Sequence, residues 1–97
     1  MSNKEERDDK FWEMTDKFIN LANEECENNK NGQVSTSILF SAARFNAFMF
    51  ASNTKDLNEL IKDKEMAVKY FTSQYEKVLI ENLNDYEKNY KDYVSKK

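Results

Sequence analysis

The sequence contains no proline and only one glycine, Gly32, in 97 residues, so very little in it interrupts a helix. A fold made of β-strands needs turn residues every 8 to 12 positions or so, and this chain lacks them. Long helices are therefore expected. We predict an all-α fold from this feature alone.

Apolar residues recur at three- and four-residue steps in three segments, which predict three helices in a single domain, 1–97. We expect helix one at about 4–28, helix two at about 36–52 and helix three at about 55–94. At a rise of about 1.5 Å per residue, the first two would each be roughly 30 Å long and the third about 55–60 Å, or about twice as long. The helices are expected to form an antiparallel bundle.

Local signals predict where the first two helices begin and end. Ser2 and Glu5 have the spacing of a capping box at the start of helix one. Gly32 is expected to take the left-handed conformation after that helix. Ser35 is the expected cap of helix two, with Val34 packing on Leu39 as a hydrophobic staple.

Helix two contains the most apolar stretch of the chain, "SILFSAARFNAFMF" at 37–50. A helix that is apolar on so many sides is buried on more than one side. Arg44 lies on a narrow polar arc beside Phe48 and is expected at the rim, with its charged head in water. Phe45 is expected to be fully buried. Asn46 lies nearly opposite Arg44 and is also expected to be buried, where a lone amide can fix helix register.

Helix three is expected to begin after a cap at Asn53 or Thr54 and to be too long for its neighbours to cover. Two explanations are open for the uncovered half. The helix could bend near Asn82, where helix propensity is poor, and fold back as a fourth helix. Alternatively, a second subunit covers it, and we favour this homodimer because long exposed apolar stripes usually mark contact surfaces. The uncovered face presents Leu79, Leu83, Tyr86, Tyr90 and Tyr93.

The residue types needed for the common kinds of catalysis are missing. Without histidine there is no Ser-His-Asp or Cys-His nucleophile and no Glu-x-x-His di-iron site. One glycine cannot form a phosphate-binding loop. Cys26 lies on the apolar face of helix one and is interpreted as structural. Carboxylate pairs such as Glu81 and Asp85 are common on solvated helices, so we predict no enzyme activity, no metal site and no cofactor.

Charge and hydropathy suggest a partner class and a compartment. A net charge of -3 and a pI of about 5.0 argue against a nucleic-acid partner. The tyrosines near the end of helix three could stack single-stranded bases, but packing against another helix is favoured. Residues 1–10 are too polar for a secretory signal, and the apolar run 38–51 is too short for a membrane span. We expect a cytoplasmic protein.

Three sequence blocks carry a resemblance: "SxLxxAARFNAFxxAS" at 37–52, "YFxxQY" at 70–75 and "ENLxDY" at 81–86. Together they resemble a small bacterial family called domain of unknown function 3144, over roughly residues 11–86. The first block is the most specific. The resemblance implies a short, all-helical bacterial protein, and it suggests that Arg44 and Asn46 belong to a family pattern. It supplies no catalytic residues.

Two functional hypotheses from different classes remain. The first is a non-enzymatic module that self-associates, or binds an unidentified protein, through helix two and the second half of helix three. The alternative is a small-molecule or lipid-binding protein, with an aromatic-lined pocket between the phenylalanines of helix two and the tyrosines of helix three. The candidate interaction or specificity residues are Arg44, Asn46, Phe48, Leu83, Tyr86, Tyr90 and Tyr93.

Overall fold

A computed structural model describes residues 6–94, and every regular element in that part of the chain is a helix. α1 covers Asp9–Glu25, α2 covers Asn31–Ser52, α3 covers Leu57–Lys88, and a short α4 covers Tyr90–Tyr93. With 32 residues, α3 is longer than α1 with 17 and α2 with 22. The prediction of an all-α fold whose third helix is the longest is confirmed.

The chain divides into two compact units, residues 1–53 and residues 54–97. In the first unit, α1 and α2 contact each other, and in the second, α3 and α4 do. The prediction of one domain over 1–97 stays a prediction.

α1 begins at Asp9 because Asp8 caps it. The Asp8 carboxylate accepts a hydrogen bond of 2.9 Å from the backbone N–H of Phe11. The predicted start at about residue 4 is therefore too early, and the predicted capping box at 2–5 lies outside the described residues. α1 ends at Glu25, before the predicted end at about residue 28. There the side chain of Asn29 donates to the Glu25 backbone carbonyl at 3.1 Å, and the same carbonyl accepts from the backbone N–H of Asn28 at 3.2 Å.

α2 begins at Asn31, earlier than the predicted start at about residue 36. The prediction of Ser35 as its cap is wrong, because Lys30 occupies the cap position without a side-chain cap hydrogen bond. Gly32 lies in the first turn of α2, and no described glycine has a positive φ. Its predicted left-handed conformation is also wrong. The C-cap of α1, Cys26, has right-handed helical dihedral angles, so the helix ends without a left-handed residue.

α3 is capped by Asp56, whose carboxylate accepts a hydrogen bond of 2.9 Å from the backbone N–H of Glu59. The prediction of Asn53 or Thr54 as the cap is wrong. Asn53 instead ends α2, and its side chain donates to the Met49 carbonyl at 3.1 Å. At the start of a helix the negative charge of an aspartate interacts favourably with the helix dipole, which a neutral asparagine or threonine does not do.

α3 passes through Asn82 without interruption, so the predicted alternative of a bend near Asn82 is wrong. The side chain of Asn82 donates to the Val78 carbonyl at 2.7 Å, which accommodates the polar group on the helix itself. The helix ends at Lys88. Asn89 follows as its C-cap, and its backbone N–H donates to the Asp85 carbonyl at 3.0 Å.

Val34, with 8% of its surface exposed, is the one buried residue within the described range 6–94. It lies inside α2 and not before it, so the predicted staple with Leu39 is wrong, and Leu39 itself is 54% exposed. Most other large apolar side chains of the three long helices are exposed as well. Both units therefore leave the apolar faces of their helices open.

Candidate interaction surfaces

One side of α2 carries an open, mostly apolar groove around an arginine. Phe40, Ser41, Arg44, Phe45 and Phe48 line it. Their three- and four-residue spacing places them on one face of the helix. The rings of Phe45 and Phe48 lie 6.4 Å apart between centroids. We call these five residues the Arg44 groove.

Arg44 is the only charged residue among the 22 residues of α2. Its side chain is exposed, and it makes no ion pair or hydrogen bond with another residue of the described part. Phe45 beside it is 62% exposed, so its predicted full burial is wrong. The physical reason is that the first unit places no helix over this side of α2. The groove thus presents one cation among apolar walls.

Asn46, on the other side of α2, is half-buried and not fully buried as predicted. Its side-chain amide makes no hydrogen bond to a residue in the range 6–94. Every buried side-chain N or O atom in this range has a partner, so the amide is not trapped away from water. The role of Asn46 in fixing helix register stays a prediction.

The second unit presents its apolar face along one side of α3 and on α4. Its members recur at three- and four-residue steps and are exposed by 48–59% of their surface. We call them the tyrosine stripe: Leu83, Tyr86, Tyr90 and Tyr93. On α2, the candidate residue Phe48 is similarly exposed, at 61%. Every predicted apolar interaction residue is therefore accessible in the chain.

A polar and aromatic cluster lies at the edge of the tyrosine stripe. The side chain of Asn89 donates to Asp85 Oδ1 at 2.9 Å. A side-chain hydrogen bond to the Asp85 carboxylate raises the pKa of Tyr93, because losing the phenol proton would break that bond and place two negative charges together. The rings of Tyr86 and Tyr93 lie 4.8 Å apart. We call Asp85, Tyr86, Asn89 and Tyr93 the Asp85 cluster.

Sequence reasoning treated Asp85 only as half of a carboxylate pair with Glu81 and missed its bonds to Asn89 and Tyr93. The signal was present in the spacing, because positions 85, 89 and 93 follow one another at four-residue steps along a helix face. The described residues contain no group of three or more histidine, cysteine or acidic side chains that could hold a metal ion. Cys26 is half-buried at the end of α1.

α2 is the one helix within 6–94 that is long and apolar enough to cross a membrane, with 22 residues in all and a mean hydropathy of 1.2 over an 18-residue window. It is longer than the apolar run 38–51 because it begins at Asn31. Helix length therefore does not exclude a membrane span, contrary to the prediction made from the run 38–51. The core helix of a soluble protein satisfies the same criterion, and Arg44 near the middle of α2 opposes insertion by about 2.5–3.5 kcal/mol.

The family model described as "Protein of unknown function (DUF3144)" matches residues 11–87. The match covers most of the chain, including α2 and almost all of α3, and the chain belongs to this family. The resemblance inferred from the three sequence blocks is thereby confirmed. No curated protein and no solved structure matches the chain.

Proposed function

We propose that this DUF3144 protein is a non-enzymatic helical module whose first partner is a second copy of itself. The observation that carries the proposal is the amount of apolar surface that its helices leave open. Val34 is the one buried residue in the described part, whereas large apolar side chains such as Phe40 and Phe45 are more than 60% exposed. Exposed patches of this kind mark contact surfaces.

The exposed area supports a partner of considerable size. The accessible surface is 9036 Å². Obligate homodimers bury about 1,000–2,500 Å² per chain. The exposed apolar side chains of α2 and α3 supply surface for an interface of that kind.

Helix lengths favour a second copy over cover from within the chain. At about 1.5 Å per residue, α3 is about 48 Å long, whereas α1 and α2 are about 26 Å and 33 Å long. Neither shorter helix can cover α3 from end to end. A second copy would bring a matching set of open faces, and a two-fold interface would cover both sets at once.

The alternative function, small-molecule or lipid binding, is supported by one feature, the Arg44 groove. Its volume of about 470 Å³ is in the range of ligand pockets. However, all five lining residues belong to one helix, and such pockets bury about 70–90% of their ligand. One helix face cannot enclose a ligand to that extent. The groove suits a facing helix better.

The mass of the protein in solution tests the proposal. We expect light scattering at micromolar concentration to give twice the chain mass of 11.5 kDa. A well-folded monomer would contradict the proposal. Native mass spectrometry of the same sample distinguishes self-association from ligand binding, because a monomer with a copurified small molecule would favour ligand binding.

A further inference from the structure

We propose that, in the homodimer, Arg44 of each copy docks against the Asp85 cluster of the other copy. The inference rests on the proposed self-association and adds to it the specific contact that would align the two copies. Three features of the chain support it: the charge of the groove, the composition of the cluster, and the distance between the two along the chain.

The first feature is the isolation of one cation on an apolar helix. Arg44 is the only charge on α2, it has phenylalanines on its sides, and no described residue pairs with it. A partner helix that covers Phe40, Phe45 and Phe48 would also remove water from the guanidinium. The free-energy cost of desolvating the guanidinium is offset only if the covering surface supplies a carboxylate or other hydrogen-bond acceptors beside it.

The second feature is that the Asp85 cluster has the chemistry of a guanidinium receptor. Its carboxylate is oriented by Asn89, whose Nδ2 donates to Oδ1 at 2.9 Å. A carboxylate has about four lone-pair sites, so it can still accept from an arginine. The rings of Tyr86 and Tyr93, 4.8 Å apart, offer faces on which a guanidinium can stack.

The third feature is that the same chain cannot supply this contact. Along α3, Asp85 lies about 42 Å from Leu57, whereas Arg44 lies about 12 Å from the end of α2 at Ser52. Even a fully stretched connection, about 17 Å long, would leave about 13 Å between the two backbones. The connection is not stretched, because Asn53 has helical dihedral angles of φ -95 and ψ -1. The arginine must come from a second copy.

Charge reversal with mixing of variants tests the contact. In a two-fold dimer the pair occurs twice, so Arg44→Glu alone and Asp85→Lys alone should each raise the dimer Kd about 100-fold or more. A 1:1 mixture should recover a dimer within about fivefold of wild type, because each heterodimer contains only opposite-charge pairs. Sedimentation measures all three, and circular dichroism verifies that helicity is kept.

Two controls make the result specific. Glu87→Lys has the same charge change as Asp85→Lys but lies on nearly the opposite face of α3, so it should leave the dimer unchanged. Where a reversal variant loses helicity, Arg44→Gln and Asp85→Asn replace it. Each should weaken the dimer, and their mixture should lose only half as much binding free energy, because the heterodimer keeps one intact pair.

The outcomes distinguish this inference from the proposed function. A monomeric wild-type chain would overturn both. A wild-type dimer that both reversals leave intact, or that the mixture fails to restore, would overturn only the Arg44 contact. Recovery in the double variant on one chain, without recovery in the mixture, would place the contact within one copy and overturn the inference in the same way.

Discussion

α2 and α3 are both mostly exposed, but they expose different kinds of surface. α2 has one charged residue in 22, whereas α3 has 12 in 32. On α3 most of the charges lie on sides other than the tyrosine stripe, with Asp85 at its edge, so this helix needs cover along one line. α2 has no such solvated side, and its apolar residues face several directions. A helix of that kind is stable in water only when more than one neighbour covers it.

The two helices therefore depend on assembly to different degrees. α3 has charged sides that water can solvate, and the Asp56 cap and its length also stabilise it as a helix. α2 has no side-chain cap, and most of its large apolar side chains are exposed. We therefore expect apolar-to-charged changes on α3 to alter association most, and loss of the buried side chain of α2 to alter folding.

The largest effect is expected from placing charges in the tyrosine stripe. Leu83→Glu combined with Tyr90→Glu should convert the dimer to a monomer or to aggregates, raising the dimer Kd about 1,000-fold or more, because a buried unpaired charge costs several kcal/mol. Light scattering over a dilution series measures the shift.

The matched control places the same charges on the opposite side of α3. Ser73→Glu combined with Asn84→Glu, which also adds two negative charges, should leave the mass unchanged. If both double variants dissociate equally, the partner would contact α3 on all sides. The proposed difference between α2 and α3 would then be wrong.

The second effect separates the buried valine of α2 from an exposed valine of α3. Val34→Ala should lower the free energy of unfolding by about 1–3 kcal/mol, because it removes buried methyl groups. Val68→Ala, at a position that is 58% exposed, should change it by less than about 0.5 kcal/mol. Urea denaturation at one protein concentration compares them. Equal losses would mean that burial is not concentrated at Val34.

The third effect exploits the unequal caps of the two helices. Asp56→Ala should destabilise the protein by about 1 kcal/mol, since it removes the acceptor for the Glu59 N–H. Lys30→Ser should stabilise it by about 0.5–1 kcal/mol, because Lys30 already has the extended cap conformation but makes no side-chain cap bond. Thermal unfolding of the two variants should shift in opposite directions. A loss in Lys30→Ser would show that α2 begins elsewhere.

The smallest effect concerns the only glycine. Gly32 lies in the first turn of α2 with a negative φ, and an added Cβ would meet no atom within 4 Å. Gly32→Ala should therefore stabilise the protein by about 0.4–1 kcal/mol by restricting the unfolded chain. Chemical denaturation measures it. A destabilised variant would contradict the helical start of α2 at Asn31.

Much of the helical layout could be predicted from the sequence, because the apolar spacing and the absence of proline act locally. The errors occurred at helix ends, where residues compete for the same role. Ser35 and Asp56 both follow the usual preferences for a cap, but only Asp56 is used. Asn82 has poor propensity, yet it ends nothing, because no glycine or proline follows it and its amide bonds to its own helix.

The candidate surfaces were predicted less well than the helices, for a different reason. The burial of Phe45 and Asn46 was inferred from the apolar character of α2, which indicates that the helix needs cover but not which molecule supplies it. The Asp85 cluster was missed because one of its members, Tyr93, belongs to α4, beyond the end of α3. The four-residue spacing of positions 85, 89 and 93 is visible in the sequence, but spacing alone does not show that helical geometry continues past Asn89.

That Val34 is the one buried residue among those at 6–94 also bears on how much protein is needed for folding. In the proposed dimer, the remaining apolar faces are covered by a second molecule, so folding is coupled to a bimolecular step. By mass action, the thermal midpoint would then rise with protein concentration. A cell that makes too little of the chain would leave it partly unfolded and open to proteases, so the rate of synthesis itself would set how much of the protein survives.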